Sequence, residues 1–189
     1  NIKAAIDELF YNKKSDDAIR IAIGGGGVAG SELATELAGD IKKLAKKHKH
    51  LKSGVSLTVI EASPNVLCRA APWIVEIAQK RLEDLGVKVL ASKKIINVTD
   101  KEVLFDGGET VPFDILIWTA GIKANSILMK ISGIEMDKTC KVVVDMSLQV
   151  HPHSSVFAIG DNTWCFDAES QMAAPAMVQT AIDQGAIAA

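Results

Sequence analysis

Ile19-Arg20-Ile21-Ala22-Ile23, followed without a break by Gly24-Gly25-Gly26-Gly27-Val28-Ala29-Gly30, is a short β-branched run that opens into a string of glycines. The run suits a buried strand. Gly25-x-Gly27-x-x-Gly30 then lies between that strand and a helix expected from about Ser31, whose apolar stripe is Leu33, Leu37, Ile41 and Leu44. A glycine pattern in that position is the dinucleotide-binding fingerprint. Gly25 permits a tight turn, Gly27 lets the backbone approach a pyrophosphate, and Gly30 lets the helix pack closely on the strand. The phosphates then meet free N–H groups and the positive end of the helix dipole.

Upstream, Ile2, Ile6, Leu9 and Phe10 recur at helical spacing before a polar break at 12–17. Downstream, a basic stretch from Lys46 to Lys52 closes the helix and Ser53-Gly54 turns the chain into a second strand, Val55 to Ile60, which ends at Glu61. A carboxylate at that point can accept hydrogen bonds from both hydroxyls of an adenine ribose. It stands further from Gly30 than the usual ~20 residues because the lysine-rich helix end is long. No Arg occurs between Glu61 and Arg69, so a 2′-phosphate would meet negative charge, and NAD(H) is expected in preference to NADPH.

The alternation continues. Residues 72–85 read as a helix opened by Pro72 and stopped by Gly86, and Val87 to Leu90 as a strand. Between 93 and 113, β-branched runs broken by Asp106-Gly107-Gly108 predict a β-hairpin or meander. Asp114 to Trp118 is a strand running into Thr119-Ala120-Gly121. Further strands are expected at Lys141 to Asp145 and Val156 to Ile159, the latter ending in Gly160-Asp161, with a helix from about Pro175. The fold class is α/β, a Rossmann-type parallel sheet with helices and a hairpin or meander insertion. A dinucleotide domain is expected over 19–135, and 136–189 reads as part of a different domain.

With 48% apolar and 23% charged residues in 189, the chain can bury a sizeable core. A net charge of -2 gives no reason to expect a nucleic-acid partner. No apolar run approaches the roughly 18 residues of a membrane span. The opening Asn1-Ile2-Lys3 shows neither Met nor a signal pattern and reads as the interior of a longer protein. Cys68, Cys140 and Cys165 are scattered with no CxxC pair, which suits reduced thiols in the cytoplasm and offers no metal spacing. His151 and His153 flank a proline without a third ligand. Lys42, Lys43, Lys46, Lys47, Lys49 and Lys52 suit a solvated helix face, with an anionic surface as the alternative.

Gly25-x-Gly27-x-x-Gly30-x-Glu32, Ile117-Trp118-Thr119-Ala120-Gly121, and Leu148-Gln149-Val150 with Val156-Phe157-Ala158-Ile159-Gly160-Asp161 together resemble the flavoproteins with two dinucleotide domains. Within them the chain is most similar to the type II NADH dehydrogenases, single-chain NADH:quinone oxidoreductases at the membrane surface. That resemblance implies hydride transfer from NADH to FAD and onward to a quinone. It also implies roles residue by residue. Ala120 and Gly121 match a strand-end loop against the nucleotide, and Asp161, with Gly160 beside it, matches the acidic residue that binds the ribityl chain of the flavin. Glu32 and Gln179 match side chains near the nicotinamide–flavin–quinone junction, where they would take catalytic roles.

On this reading, residues 1–18 connect from a preceding flavin domain and 136–189 are part of its C-terminal half. Nothing before Ile19 supplies a glycine fingerprint for the ADP half of the flavin, so the chain reads as part of such an enzyme. Peripheral membrane contact through further segments, and a homodimer, are what the resemblance allows. The rival enzyme readings are a sulfide:quinone reductase, or an NADH-dependent disulfide or ferredoxin reductase. The rival non-enzyme reading is an isolated nucleotide-binding module.

Overall fold

A computed structural model describes residues 2–12, 18–47, 54–167 and 172–189. The chain divides into two compact units, Asn1–Ala120 and Gly121–Ala189. The polar break at 13–17 and the basic stretch with its turn at 48–53, including Lys49 and Lys52, lie outside the described residues.

In the first unit, helix α1 (Ile2–Asn12) precedes strand β1 (Ile19–Gly24), helix α2 (Val28–Lys47), strand β2 (Val55–Ile60), helix α3 (Pro72–Asp84) and strand β3 (Lys88–Leu90). Strands β4 (Ile95–Val98), β5 (Glu102–Phe105) and β6 (Thr110–Pro112) form an antiparallel meander, and β7 (Ile115–Trp118) closes the unit. The main sheet is parallel with strand order β3-β2-β1-β7. The chain builds outward from β1 and then returns to its other side. The carboxyl ends of β1 and β7 therefore flank the point where strand order reverses, where open α/β sheets bind ligands.

The side-chain period of two explains why β1 is apolar almost throughout. Ile19, Ile21 and Ile23 face the helices and bury against Ile6 and Phe10 of α1 and Ala34, Leu37, Ala38 and Ile41 of α2. Ala22 faces the other way, with Ile60, Val103 and Phe105 beneath the meander. Each large apolar side chain so buried contributes about 1.5–3 kcal/mol. Arg20, the one charged residue of β1, forms a two-pronged pair with Asp114 just ahead of β7. Its Nε lies 3.2 Å from Oδ2 and its Nη2 3.3 Å from Oδ1, while its backbone N–H donates to Oδ2 at 2.8 Å. That bonding holds the guanidinium pKa above its ordinary value. Helix α3 starts on Pro72 and ends with the Gly86 N–H on Glu83 O and the Val87 N–H on Leu82 O, a turn that favours glycine at φ +79.

In the second unit, β8 (Val142–Val144) is followed by β9 (Gln149–Val150), β10 (His153–Phe157), β11 (Thr163–Asp167), β12 (Met172–Ala173) and helix α4 (Val178–Ala188). β11 runs parallel to β8 and antiparallel to β12, and β9 pairs with β10. The buried centre is Val142, Val144, Leu148, Val150 and Cys165.

Three expectations about element bounds are corrected. Helix α2 begins at Val28 rather than Ser31, taking Gly30 into its first turn. The strand expected to reach Ile159 stops at Phe157, and α4 starts at Val178, beyond Pro175. Residues 121–135 belong to the second unit, where the Ala124 N–H donates to Thr139 O and the Asn125 N–H to Asn162 Oδ1. Helix α1 places Ile6 and Phe10 in the core of the first unit.

Candidate dinucleotide site

The three fingerprint glycines are required for three different reasons. Gly25 has φ +110, and a Cβ there would lie 2.9 Å from both Ala120 N and Thr119 Oγ1. A Cβ on Gly30 would lie 1.9 Å from Gly25 O, an impossible approach. At Gly27 no atom beyond its own and its chain neighbours' stands within 4 Å of that position, so the backbone is open to a ligand at the start of α2. Ser31 secures the turn: its N–H donates to Gly27 O at 2.9 Å and its buried hydroxyl to Gly26 O at 3.2 Å. Because α2 starts at Val28, Glu32 is its fifth residue. It sits in the second turn rather than the first, and is exposed. The dipole effect, confined to the first turn, therefore does not account for a carboxylate there.

Glu61 stands at the end of β2 with its carboxylate turned to the glycine loop. Oε2 accepts the Gly26 N–H at 2.7 Å and Oε1 accepts the Ser63 N–H at 2.7 Å. Each oxygen keeps a second lone pair for an incoming hydroxyl. Val66 is fully buried beside Gly26, and the Leu67 N–H donates to Gly26 O at 2.8 Å, so the loop after Glu61 folds back over the glycines. Lys93, whose N–H donates to Glu61 O, pairs its ammonium with Glu109 and lays it over the Phe105 ring.

On the opposite side, Thr119 at the end of β7 places its hydroxyl 3.0 Å from Gly24 O and Gly25 O. Trp118 donates its indole N–H to Ala120 O at 2.7 Å. Gly25, Gly27, Gly30, Glu61 and Ala120 thus gather at one end of the sheet. Ser31, Ser63 and Thr119 were not singled out from sequence. Thr119 stood inside the quoted Trp118-to-Gly121 run, so its place beside the anchor Ala120 was the available signal.

In the second unit, the Gly160 N–H donates to Oε1 of buried Gln184 at 2.7 Å. Asp161 is exposed on the short helix Gly160–Asn162. Gln179 is exposed and donates to Asp183 Oδ1 at 2.9 Å, a pairing along its own helix. It is Gln184, five residues on, that ties α4 to Gly160. Gly121, at φ +76, opens this unit. His151 Nε2 lies 3.2 Å from Asp145 Oδ2, and no group of three metal-ligating side chains occurs among the described residues. Cys165 is buried with its thiol on Asp145 O at 3.6 Å. No helix among the described residues is long and apolar enough to cross a membrane.

A family model described as pyridine nucleotide-disulphide oxidoreductase matches residues 4–185. The chain is 30% identical over 188 residues to a type II NADH:quinone oxidoreductase of Staphylococcus epidermidis, covering 95% of this chain and 46% of the relative. It is 27% identical, with the same coverage, to the enzyme so named in Staphylococcus aureus. It spans about half the length of the curated relatives it matches. Among solved structures, NDH2 of Plasmodium falciparum in complex with NADH superposes with a TM-score of 0.68 at 23% identity, over 78% of this chain and 32% of that one. A ferredoxin reductase of Rhodopseudomonas palustris gives 0.66 at 21% identity, over 96% and 41%.

Proposed function

Because this chain belongs to the pyridine nucleotide-disulphide oxidoreductase family, we propose that its first unit binds NADH as part of an NADH:quinone oxidoreductase. The observation that carries the reading is the Glu61 carboxylate, aimed across the glycine loop at the open end of the sheet. The pyrophosphate would lie over Gly27 and the start of α2, against free N–H groups. The adenine ribose would donate its hydroxyls to the remaining lone pairs of Glu61. A 2′-phosphate would confront that carboxylate, and the Lys93 charge is already engaged by Glu109.

A flavin fits the second unit in one respect: Asp161 presents an exposed carboxylate to a hydroxyl-bearing chain, on a turn that Gln184 holds by Gly160. We assign residues 121–189 to part of a flavin-binding domain. FAD, when bound, supplies the hydride-accepting and electron-passing chemistry; this chain contributes orientation of the nucleotide and contacts at Asp161. Glu32 and Gln179 remain candidates for the quinone-reducing end. In the complete enzyme Gln179→Ala is then expected to slow quinone reduction and spare flavin reduction. Quinone as acceptor brings with it a peripheral place at the cytoplasmic face of a membrane. The buried Cys165 thiol weighs against the sulfide-oxidising alternative.

Calorimetric titration with NADH and NADPH tests the cofactor assignment. NADH is expected to bind at least about tenfold more tightly, a difference of ~1.4 kcal/mol, and Glu61→Ala to narrow the gap. Equal affinities in the unaltered chain would remove the role given to Glu61.

A further inference from the structure

We infer that Thr119 is a positioning residue for the pyrophosphate-binding loop, an inference that rests on the NADH reading of that loop. Four consecutive glycines, Gly24 to Gly27, make this the least constrained backbone in the unit. The peptide joining Gly25 to Gly26 could turn over at little steric cost unless something holds it. It is held at both ends. Its carbonyl, Gly25 O, accepts from the Thr119 hydroxyl at 3.0 Å, and its N–H donates to Glu61 Oε2 at 2.7 Å.

The Thr119 backbone N–H is already on Gly24 O at 2.9 Å, so the hydroxyl, which also lies 3.0 Å from that oxygen, is needed chiefly by Gly25 O. Thr119 Oγ1 lies 2.9 Å from where a Gly25 Cβ would be and 2.8 Å from where a Gly30 Cβ would be. It therefore fills the space that two fingerprint glycines leave. With the carbonyl fixed toward β7, the N–H groups at the start of α2 would be left to meet a phosphate. Without the donor, only the Glu61 bond holds this peptide, and the binding-ready loop becomes one conformer among several.

Thr119→Val removes the donor at nearly constant shape, whereas Thr119→Ser retains it. Titration of the purified chain with NADH and with ADP-ribose, followed by NMR, is expected to show both ligands weakened about tenfold by Thr119→Val and within about twofold of the parent for Thr119→Ser. In the ligand-free protein the Gly26 amide should exchange faster in Thr119→Val, with Val59 in β2 unchanged. Thr119→Val affinity within twofold of the parent, or a serine variant as weak as the valine one, overturns the inference. A parent chain that binds neither ligand overturns instead the NADH reading beneath it. Should Thr119→Val fail to fold by circular dichroism, Thr119→Ala set against Thr119→Ser makes the same comparison.

Discussion

At the scale of single residues, the fingerprint glycines separate stability from binding. Gly30→Ala drives a Cβ to 1.9 Å from Gly25 O, and overpacking of that kind costs about 1–3 kcal/mol. Gly27→Ala meets open space, so stability should stay within about 0.5 kcal/mol while NADH affinity drops, because the new methyl occupies the approach to the phosphates. Thermal melts with nucleotide titrations check both. A fully stable Gly30→Ala would contradict the packing, and a Gly27→Ala with unchanged affinity would move the pyrophosphate elsewhere. These glycines and Glu61 were legible because local spacing sets their roles. The Gly26 and Ser63 donors to Glu61, and the Thr119 hydroxyl, were not: which polar atom meets which depends on how distant strands align. Gln179 and Gln184 show the same limit. Five residues apart on one helix, they differ by burial, and nothing in their shared segment says which one faces Gly160.

At the scale of elements, the turn from Asp137 to Lys141 shows how a carboxylate fixes a connection into β8. Oδ1 accepts the Thr139 N–H at 2.8 Å and the Lys141 N–H at 2.9 Å, and the Thr139 hydroxyl lies 2.8 Å from both carboxylate oxygens. Desolvation alone would raise the Asp137 pKa. The Lys141 and Thr139 donors, with the Lys141 charge, outweigh it and leave the pKa below the ordinary value. A lowered carboxyl stabilises the fold above the unfolded-state pKa near ~3.9, and that contribution disappears as the pH falls through the lower folded value. Asp137→Ala is thus expected to destabilise the chain at neutral pH, with the deficit shrinking in acid. Denaturation midpoints across that range measure it, and a deficit independent of pH would contradict the assignment. Strands β1 and β2 were readable from their apolar runs because both of their faces are covered. The start of α2 was misplaced because glycines are poor helix formers, yet here the close packing of Gly30 draws them into the first turn. β11 was missed because Gly160-Asp161-Asn162, the turn that precedes it, was read only as the end of a flavin-binding run.

At the scale of the whole molecule, the first unit covers its parallel sheet on both faces, whereas the second leaves apolar surface uncovered. β10 is exposed along its length, and Val178 and Ile182 of α4 are 79% and 61% exposed. The Thr163 hydroxyl is buried there without a partner among the described residues. These features suit a unit that is part of a larger domain, in a chain spanning about half of its relatives. The purified chain is therefore expected to be colourless, to bind NADH weakly and to lack NADH:quinone activity, since its one G-x-G-x-x-G fingerprint is the loop we propose for NADH. A flavin absorbance band surviving desalting would show a complete flavin site in these 189 residues. One feature of the first unit makes its occupancy measurable with no added label. The Trp118 indole, 53% exposed, is fixed by Ala120 O and lies along Gly24 at the mouth of the site. Indole emits in the near-ultraviolet region that reduced nicotinamide absorbs, so loading NADH should dim Trp118 by resonance energy transfer. ADP-ribose, which lacks that chromophore, should leave it bright. In a Trp73→Phe, Trp164→Phe background the protein becomes its own optical gauge, and equal dimming by both ligands would place the nicotinamide out of range of the indole.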